Sequence, residues 1–408
     1  MTTVSSPGSG ESPARSEPSV KVETPGEPPP HGGGGARSRG STAALVRGLS
    51  WLDRLLAPLV LVAMVLGVVI GKFAPNVENV LTGAKLRGVS IPIMVGLLVM
   101  MWPILTKVQY ERLHLVFKTP GLWQQLLLSL FLNWVIGPFV MLALAWATLP
   151  DLPTYRTGVI LVGIARCIAM VMIWNQIAQG STDLCAILVI INSILQIALY
   201  SPLSLLMINV ISNPSSSSQK IKLDYGDTAI AVLIYLGIPL VAGVITRFSV
   251  IYLIGKERFE SRFLPCFGPL ALIGLLYTII LIFAEQATHI LDNLGPVFRV
   301  FVPLILYFVI MWTGTFVALF LLGRRERWEP VYAYQSAVVQ AFTAGSNNFE
   351  LAIAVCIAVY GVDSDQALAA TIGPLVEVPV LLSLSYVSLL LKDHLKWGKG
   401  DGPVAIPA

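Results

Sequence analysis

Residues 162–180 read VGIARCIAMVMIWNQIAQG. The run is apolar enough to sit in lipid, yet Arg166 and Cys167 lie side by side near its middle. An ionisable residue at the bilayer centre costs roughly 2.5–3.5 kcal/mol on insertion scales, and such residues usually line a pathway. Whether this stretch crosses a membrane decides the fold, and the rest of the chain answers. Of 408 residues, 55% are hydrophobic and 12% charged, against about 25% charged in an ordinary soluble domain. The apolar residues come in blocks near the ~17–25 residues that span a bilayer. Ten spans are predicted, at roughly 55–73, 89–106, 124–149, 157–177, 184–211, 227–247, 268–285, 297–322, 338–360 and 366–391. The expected fold class is an all-α polytopic membrane protein with ten transmembrane helices.

Residues 1–50 are rich in Pro, Gly, Ser and Glu and nearly lack large apolar side chains. They bury too little surface to offset their ordering entropy, so a disordered cytoplasmic tail is predicted. Residues 51–395 form the transporter-sized domain, and 396–408 a second cytoplasmic tail. Lys and Arg favour one set of loops by about two to one, which puts both termini on the cytoplasmic side. The plasma membrane is the expected location. The net charge of +4 reflects loop clusters, with no basic stripe for nucleic acid. Cys167, Cys185, Cys266 and Cys356 show no CxxC pair or finger spacing, so no disulfide framework is expected. No cofactor is expected, and the oligomeric state is left open.

Ten spans divide into two fives. An odd number per half makes the second copy enter from the opposite face, as in the inverted repeats of secondary transporters. The halves are predicted at about 51–211 and 225–395, with the most polar spans, the fourth and the ninth, in corresponding places.

Three charges lie well inside spans: Arg166, Glu350 and Glu377. Glu285, at the end of its span, is expected to meet water. Counted from opposite ends of antiparallel spans, Cys167 and Glu350 both lie roughly 15–18 Å deep, near the midplane. In FTAGSNNFELAIAV, residues 342–355, Thr343, Ser346, Asn347 and Glu350 recur at helical spacing and make one polar face. Gly345 and the pair Asn347–Asn348 are poor helix formers, so a break is expected there; lipid tolerates one only where the freed backbone lines a cavity. Pro374 and Pro379 bracket Glu377, and Asn192 and Gln196 share a face of the fifth span. The bland readings are interhelical glue for Asn192 and Gln196, and a buried bridge from Arg166 to Glu350 or Glu377. Met100, Met101 and Trp102 read as packing or interface residues.

Three blocks carry a resemblance. RCIAMVMIWNQIAQGSTDLCAILVIINSILQ (166–196), AGSNNFELAIAVCIAVYG (344–361) and GPLVEVPVLLSL (373–384) resemble the yeast-type arsenite efflux permeases. These are the Acr-three arsenical-resistance proteins of the bile acid:sodium symporter-like superfamily. The likeness extends over essentially all of 50–395. It implies inverted five-helix repeats, a panel domain against a core domain, and discontinuous crossing helices four and nine. It implies export of trivalent arsenite, and often antimonite, in exchange for protons, with the family's thiol at Cys167 and its carboxylate at Glu350.

The chemistry fits. Arsenite at neutral pH is mainly the uncharged trihydroxide, so uphill export needs a coupled ion or a separate energy source. The chain has no GxxxxGK[ST] phosphate loop. A midplane carboxylate that takes and loses a proton supplies coupling, at Glu350 with Glu377 as a second candidate. Trivalent arsenic is soft, and soft ligands choose soft centres, which makes Cys167 the metalloid ligand. Hydroxyl groups of the solute would be held by Ser346, Asn347 and Asn348, with Arg166 close by. Thr343, Asn192 and Gln196 support this polar core. The proton and the solute are expected to compete for one cavity shared by Cys167 and Glu350. The rivals are a sodium-coupled symporter of an organic anion on the same fold, an intramembrane hydrolase and a receptor. The second lacks HExxH and any histidine well inside a span; the third gives no reason for three buried charges.

Overall fold

In the computed structural model, residues 55–74, 89–111, 121–168, 170–212, 223–324 and 333–395, with 83, 85, 86 and 397, are described. The predicted tail at 1–50 and the segment 398–408 lie outside the described residues. Trp397 is tied to the fold by ring contacts with Phe316, Phe320 and Tyr334 at centroid distances of 5.0–5.5 Å.

The described residues are almost entirely helical. The first helix is α1 (Leu56–Phe73). A two-residue hairpin, β1 (Lys85–Leu86) against β2 (Val89–Ser90), leads into α2 (Ile91–Lys107). Then come α3 (Leu122–Thr148), α4 (Pro153–Ile164), α5 (Met170–Ile177), α6 (Thr182–Ile211) and α7 (Tyr225–Ile254). The rest is α8 (Lys256–Glu285), α9 (Ala287–Asp292), α10 (Leu294–Gly323), α11 (Tyr334–Ala344), α12 (Phe349–Tyr360) and α13 (Asp365–His394). Six of these, α3, α6, α7, α8, α10 and α13, are long and apolar enough to cross a membrane. The chain is a multi-pass integral membrane protein.

Helix ends run past the apolar blocks. The seventh span was expected from 268, but α8 begins at Lys256. Its first turn, Lys256, Glu257 and Arg258, is charged and exposed, so hydropathy detects only the part that lies in lipid. Glu285 is a correction. It is 7% exposed and does not face water, because α8 turns directly into α9 at Gln286 and α1 packs over the junction.

That packing is close. Gly67 and Gly71 stand four residues apart on α1, as in the small-residue contacts that let membrane helices approach. A Cβ on Gly71 would lie 2.1 Å from the Ala284 carbonyl oxygen, and one on Gly67 2.6 Å from that of Ile280. Helices α1, α2, α7 and α8 pack on one another, whereas α4 packs against α3 and the start of α13, and α10 against α3, α11 and α13.

Polar ties hold the helix ends. Arg247 of α7 binds the Glu111 carboxylate with Nε at 2.9 Å and with Nη2, and Lys256 stands 3.8 Å away. Burial works to raise the Glu111 carboxyl, but the Arg247 hydrogen bonds and charge, with Lys256, hold it below the ordinary value. At another end, Arg299 donates to both Asp151 oxygens at 2.6 Å. Those bonds pull Asp151 down to about 2.

Gly71→Val is expected to destabilise the protein by about 1–3 kcal/mol through overpacking. Gly314, where a Cβ meets nothing within 4 Å, is the control: Gly314→Ala should shift stability by no more than about 0.5 kcal/mol. Thermal unfolding of the purified protein in detergent reads both.

Candidate functional site

Two helices stop short. α4 ends at Ile164 and the chain restarts as α5 at Met170; α11 ends at Ala344 and restarts as α12 at Phe349. The two unwound segments lie antiparallel, with Arg166 opposite Asn347. Gly345, Ser346 and two asparagines give the second segment little helical preference.

The last four carbonyls of a helix have no partner within it. At the end of α4 they are served by the two breaks. Asn347 Nδ2 donates to Val162 O at 3.0 Å and to Ala165 O at 3.1 Å, and the Asn348 N–H donates to Ala165 O at 3.1 Å. Arg166 curls back, donating from Nε to Ile164 O at 3.3 Å and from Nη2 to Gly163 O. Its Nη1 donates to the Tyr307 hydroxyl at 2.9 Å, and that hydroxyl donates to Ala344 O, at the end of α11, at 3.1 Å. Gln196 Oε1 accepts from the Arg166 N–H at 3.0 Å.

Arg166 is therefore a C-terminal cap, a cation at the negative end of a helix. Neither Glu350 nor Glu377 forms an ion pair with it. The buried bridge weighed from the sequence is replaced by carbonyls and a phenol, which are nearer along the chain and around the break.

The other two helix ends at the crossing are N-termini. Cys167 Sγ accepts from the Val171 N–H at 3.3 Å, in the first turn of α5. Asn348 Oδ1 accepts from the Leu351 N–H at 3.1 Å and caps α12, which places Glu350 in the first turn. Both chemical candidates thus sit at positive helix ends, where negative charge is favoured. The Ser346 hydroxyl donates to Phe342 O at 2.6 Å. Glu377, 2% exposed on α13, faces the Asn347 backbone N–H and the Glu350 charge; its Oε1 has no hydrogen-bond partner among the described residues.

A cavity of about 210 Å³ opens beside the crossing. Glu350, Ile168, Met170 and Gln176 form one wall, and α2 and α8 contribute Met100, Lys107 and Gly268. Cys167 does not line it. The thiol is 2% exposed and turned to the α5 N-terminus, one residue behind Ile168. The cavity expected to be shared by Cys167 and Glu350 is lined by Glu350 and not by Cys167.

The crossing brings together Arg166, Cys167, Gln196, Ser346, Asn347, Asn348, Glu350 and Glu377. Thr343 donates to Val339 O on its own helix, and Asn192 accepts from Trp134 Nε1 at 3.2 Å instead. The continuous polar face expected over 343–350 does not form, because the helix stops at Ala344 and restarts only at Phe349. Sequence reasoning missed Tyr307 and Gly137. A lone tyrosine in an apolar span was a usable signal, since its hydroxyl needs a partner in lipid. Gly137 had none: a Cβ there would lie 2.7 Å from Arg166 Nη1. Met100, read as packing, lines the cavity. All four cysteines are free.

Residues 94–293 match the profile of the Sodium Bile acid symporter family. The chain is 41% identical over 351 residues to the arsenical-resistance protein Acr3 of Corynebacterium glutamicum, covering 85% of this chain and 91% of the relative. The chain belongs to the Acr3 family. A second Acr3, from Alkaliphilus metalliredigens, is 30% identical, with 84% of this chain and 93% of that one covered. An uncharacterized transporter of Synechocystis is 32% identical over 82% of this chain and 88% of its own length. The likeness to the two bacterial Acr3 proteins covers 84–85% of this chain and 91–93% of theirs.

In this Acr3-family chain, Asn347→Ala is expected to cost about 1–3 kcal/mol by stripping donors from buried carbonyls. Thr343→Ala, which removes one buried bond within its own helix, should cost less, about 0.5–1.5 kcal/mol. Denaturation in detergent micelles compares the two; equal effects would remove Asn347 from its assigned place.

Proposed function

We propose that this chain is a secondary active transporter that exports trivalent arsenite, and antimonite, in exchange for protons by alternating access. The reading is supported by the places of Cys167 and Glu350, each at the start of a restarting half-helix, in an Acr3-family chain. Half-helices meeting at mid-depth are the usual way such carriers build a site.

The ten-span count takes α1 and α2 as spans and each broken pair as one. It is supported by the order of elements: α4, break, α5, α6 in one half and α11, break, α12, α13 in the other. On that plan 51–211 and 225–395 are inverted repeats of a single transporter domain, 51–395. Residues 1–50 and 396–408 are cytoplasmic tails. The charge bias of the loops puts both termini in the cytoplasm, with the plasma membrane as the site of action. Lys107 ends α2 on that inner side, so the cavity opens inward.

Arsenite enters as the trihydroxide. One As–OH is exchanged for one As–S bond at Cys167, the thiol proton and the hydroxide leaving as water; release reverses the step. Ser346, Asn347 and Asn348 hold the remaining hydroxyls. A single thiolate suits a carrier, since three would hold the metalloid too tightly to let go. Loading at the inner face displaces a proton from Glu350, with Glu377 beside it as the second member of the pair. Protonation from outside restores the carboxyl and releases the solute. Arg166 and Gln196 keep the crossing intact while the cavity changes sides.

In everted vesicles, Cys167→Ala and Glu350→Gln should each reduce proton-driven arsenite accumulation to background. Full activity in either variant overturns that residue's role. A sodium gradient should drive nothing. Sodium-dependent uptake of an organic anion would favour the alternative, a sodium-coupled symporter on the same fold.

A further inference from the structure

The seam that is open beside Glu350 is tied at its other end. Gly268 of α8 and Glu350 of α12 both line the cavity. At 1.5 Å per residue the end of α8 lies about 26 Å further along, and the end of α12 about 15 Å further. There two polar contacts cross the seam. Gln286, between α8 and α9, donates from Nε2 to Val362 O, between α12 and α13. His289 of α9 places Nε2 3.1 Å from Asp365 Oδ1, in the first turn of α13. Gln286 and Val362 are buried, whereas the His289 and Asp365 side chains are each 28% exposed and reach water.

The helices on either side of these contacts are held together far more closely. Helix α1 lies on the junction of α8 and α9, where a Cβ on Gly71 would stand 2.6 Å from Ala287 Cβ. Helix α4 lies on the start of α13, where a Cβ on Gly158 would stand 2.5 Å from the Gln366 carbonyl oxygen. Thr154 of α4 also donates to Asp365 Oδ2. Asp365 thus makes one bond within its own packed group, to Thr154, and one across the seam, to His289.

We propose that His289–Asp365 and Gln286–Val362 form an outer latch, which holds the far end of the seam shut in this conformation and must part before the site can face outward. The inference rests on the reading of the chain as an alternating-access carrier. Both contacts use polar atoms that water can serve once the seam opens, so parting exchanges hydrogen bonds instead of abolishing them. The glycine contacts have no such substitute and travel with their own helices. A partly exposed ion pair is weak, which suits a contact that must break and re-form.

The test uses full-length protein carrying Cys266→Ser, which removes the exposed native thiol, and one added reporter. Val362→Cys reports the outer end, and Ile104→Cys reports the cavity. A membrane-impermeant maleimide is applied from outside to the first and from inside to the second. Added to each, His289→Ala should raise outer labelling about threefold and lower inner labelling by about the same factor, because a latch moves population from one state to the other. The arsenite KM in everted vesicles should rise about threefold as fewer molecules present the inner site. Thr154→Ala removes a bond to the same carboxylate without crossing the seam, and should stay within about 1.5-fold on every reading. Unchanged labelling in His289→Ala, a rise at both reporters, or an equal response to Thr154→Ala overturns the latch; the last two are what mere loosening would give. If Val362→Cys does not fold, hydrogen exchange of His289→Ala should quicken at 361–368 and slow at 100–107, and no change or a rise in both overturns it. Wild type that moves no arsenite defeats the carrier reading, whereas transport by wild type with His289→Ala labelled like it defeats only the latch.

Discussion

A helix that stops partway through a bilayer leaves carbonyl groups with no water to bind. Helix α4 stops this way at Ile164, and its terminal carbonyls are met by Asn347, Asn348 and the side chain of Arg166. The second break, after Ala344, supplies those asparagines and is itself served by Tyr307. Neither interruption is tolerable alone. The second provides donors that the first lacks, and Tyr307 on α10 serves the second.

Electrostatics follows from that arrangement. The ends of α4 and α11 present carbonyls, and Arg166 and Tyr307 answer them. The starts of α5 and α12 present N–H groups, and Cys167, Asn348 and Glu350 gather there. A thiol and a carboxyl thus each lie at the start of a half-helix, and Glu377 is buried on α13. The guanidinium is occupied by carbonyls and a phenol rather than by either glutamate.

The surroundings divide the work. Helices α1 and α8 touch backbone to backbone at Gly67 and Gly71. The polar crossing belongs to the elements packed around α4, α11 and α12. The cavity runs along the seam, with Met100 and Lys107 on one side and Glu350 and Met170 on the other.

Much was legible beforehand, for particular reasons. Long apolar blocks identify a membrane protein because lipid demands them. Gly345, Asn347 and Asn348 announce a break because each is a poor helix former, and Glu350 and Cys167 stand out because ionisable and nucleophilic groups are costly or unusual at that depth. Other features needed contacts that no local pattern encodes. The role of Arg166 depends on which acceptors surround a chain that has already unwound, and Tyr307 is 141 residues away. Gly137 matters only because a guanidinium passes over it. The cavity wall joins Met100 to Met170 across helices distant in sequence. By itself, then, the sequence determined the membrane-spanning class and the place of the second break, both set by transfer energies and local propensity. Which groups satisfy one another, and which face the open space, was decided by the tertiary structure, because unpaired polar atoms in lipid take whatever partner the packing brings within reach.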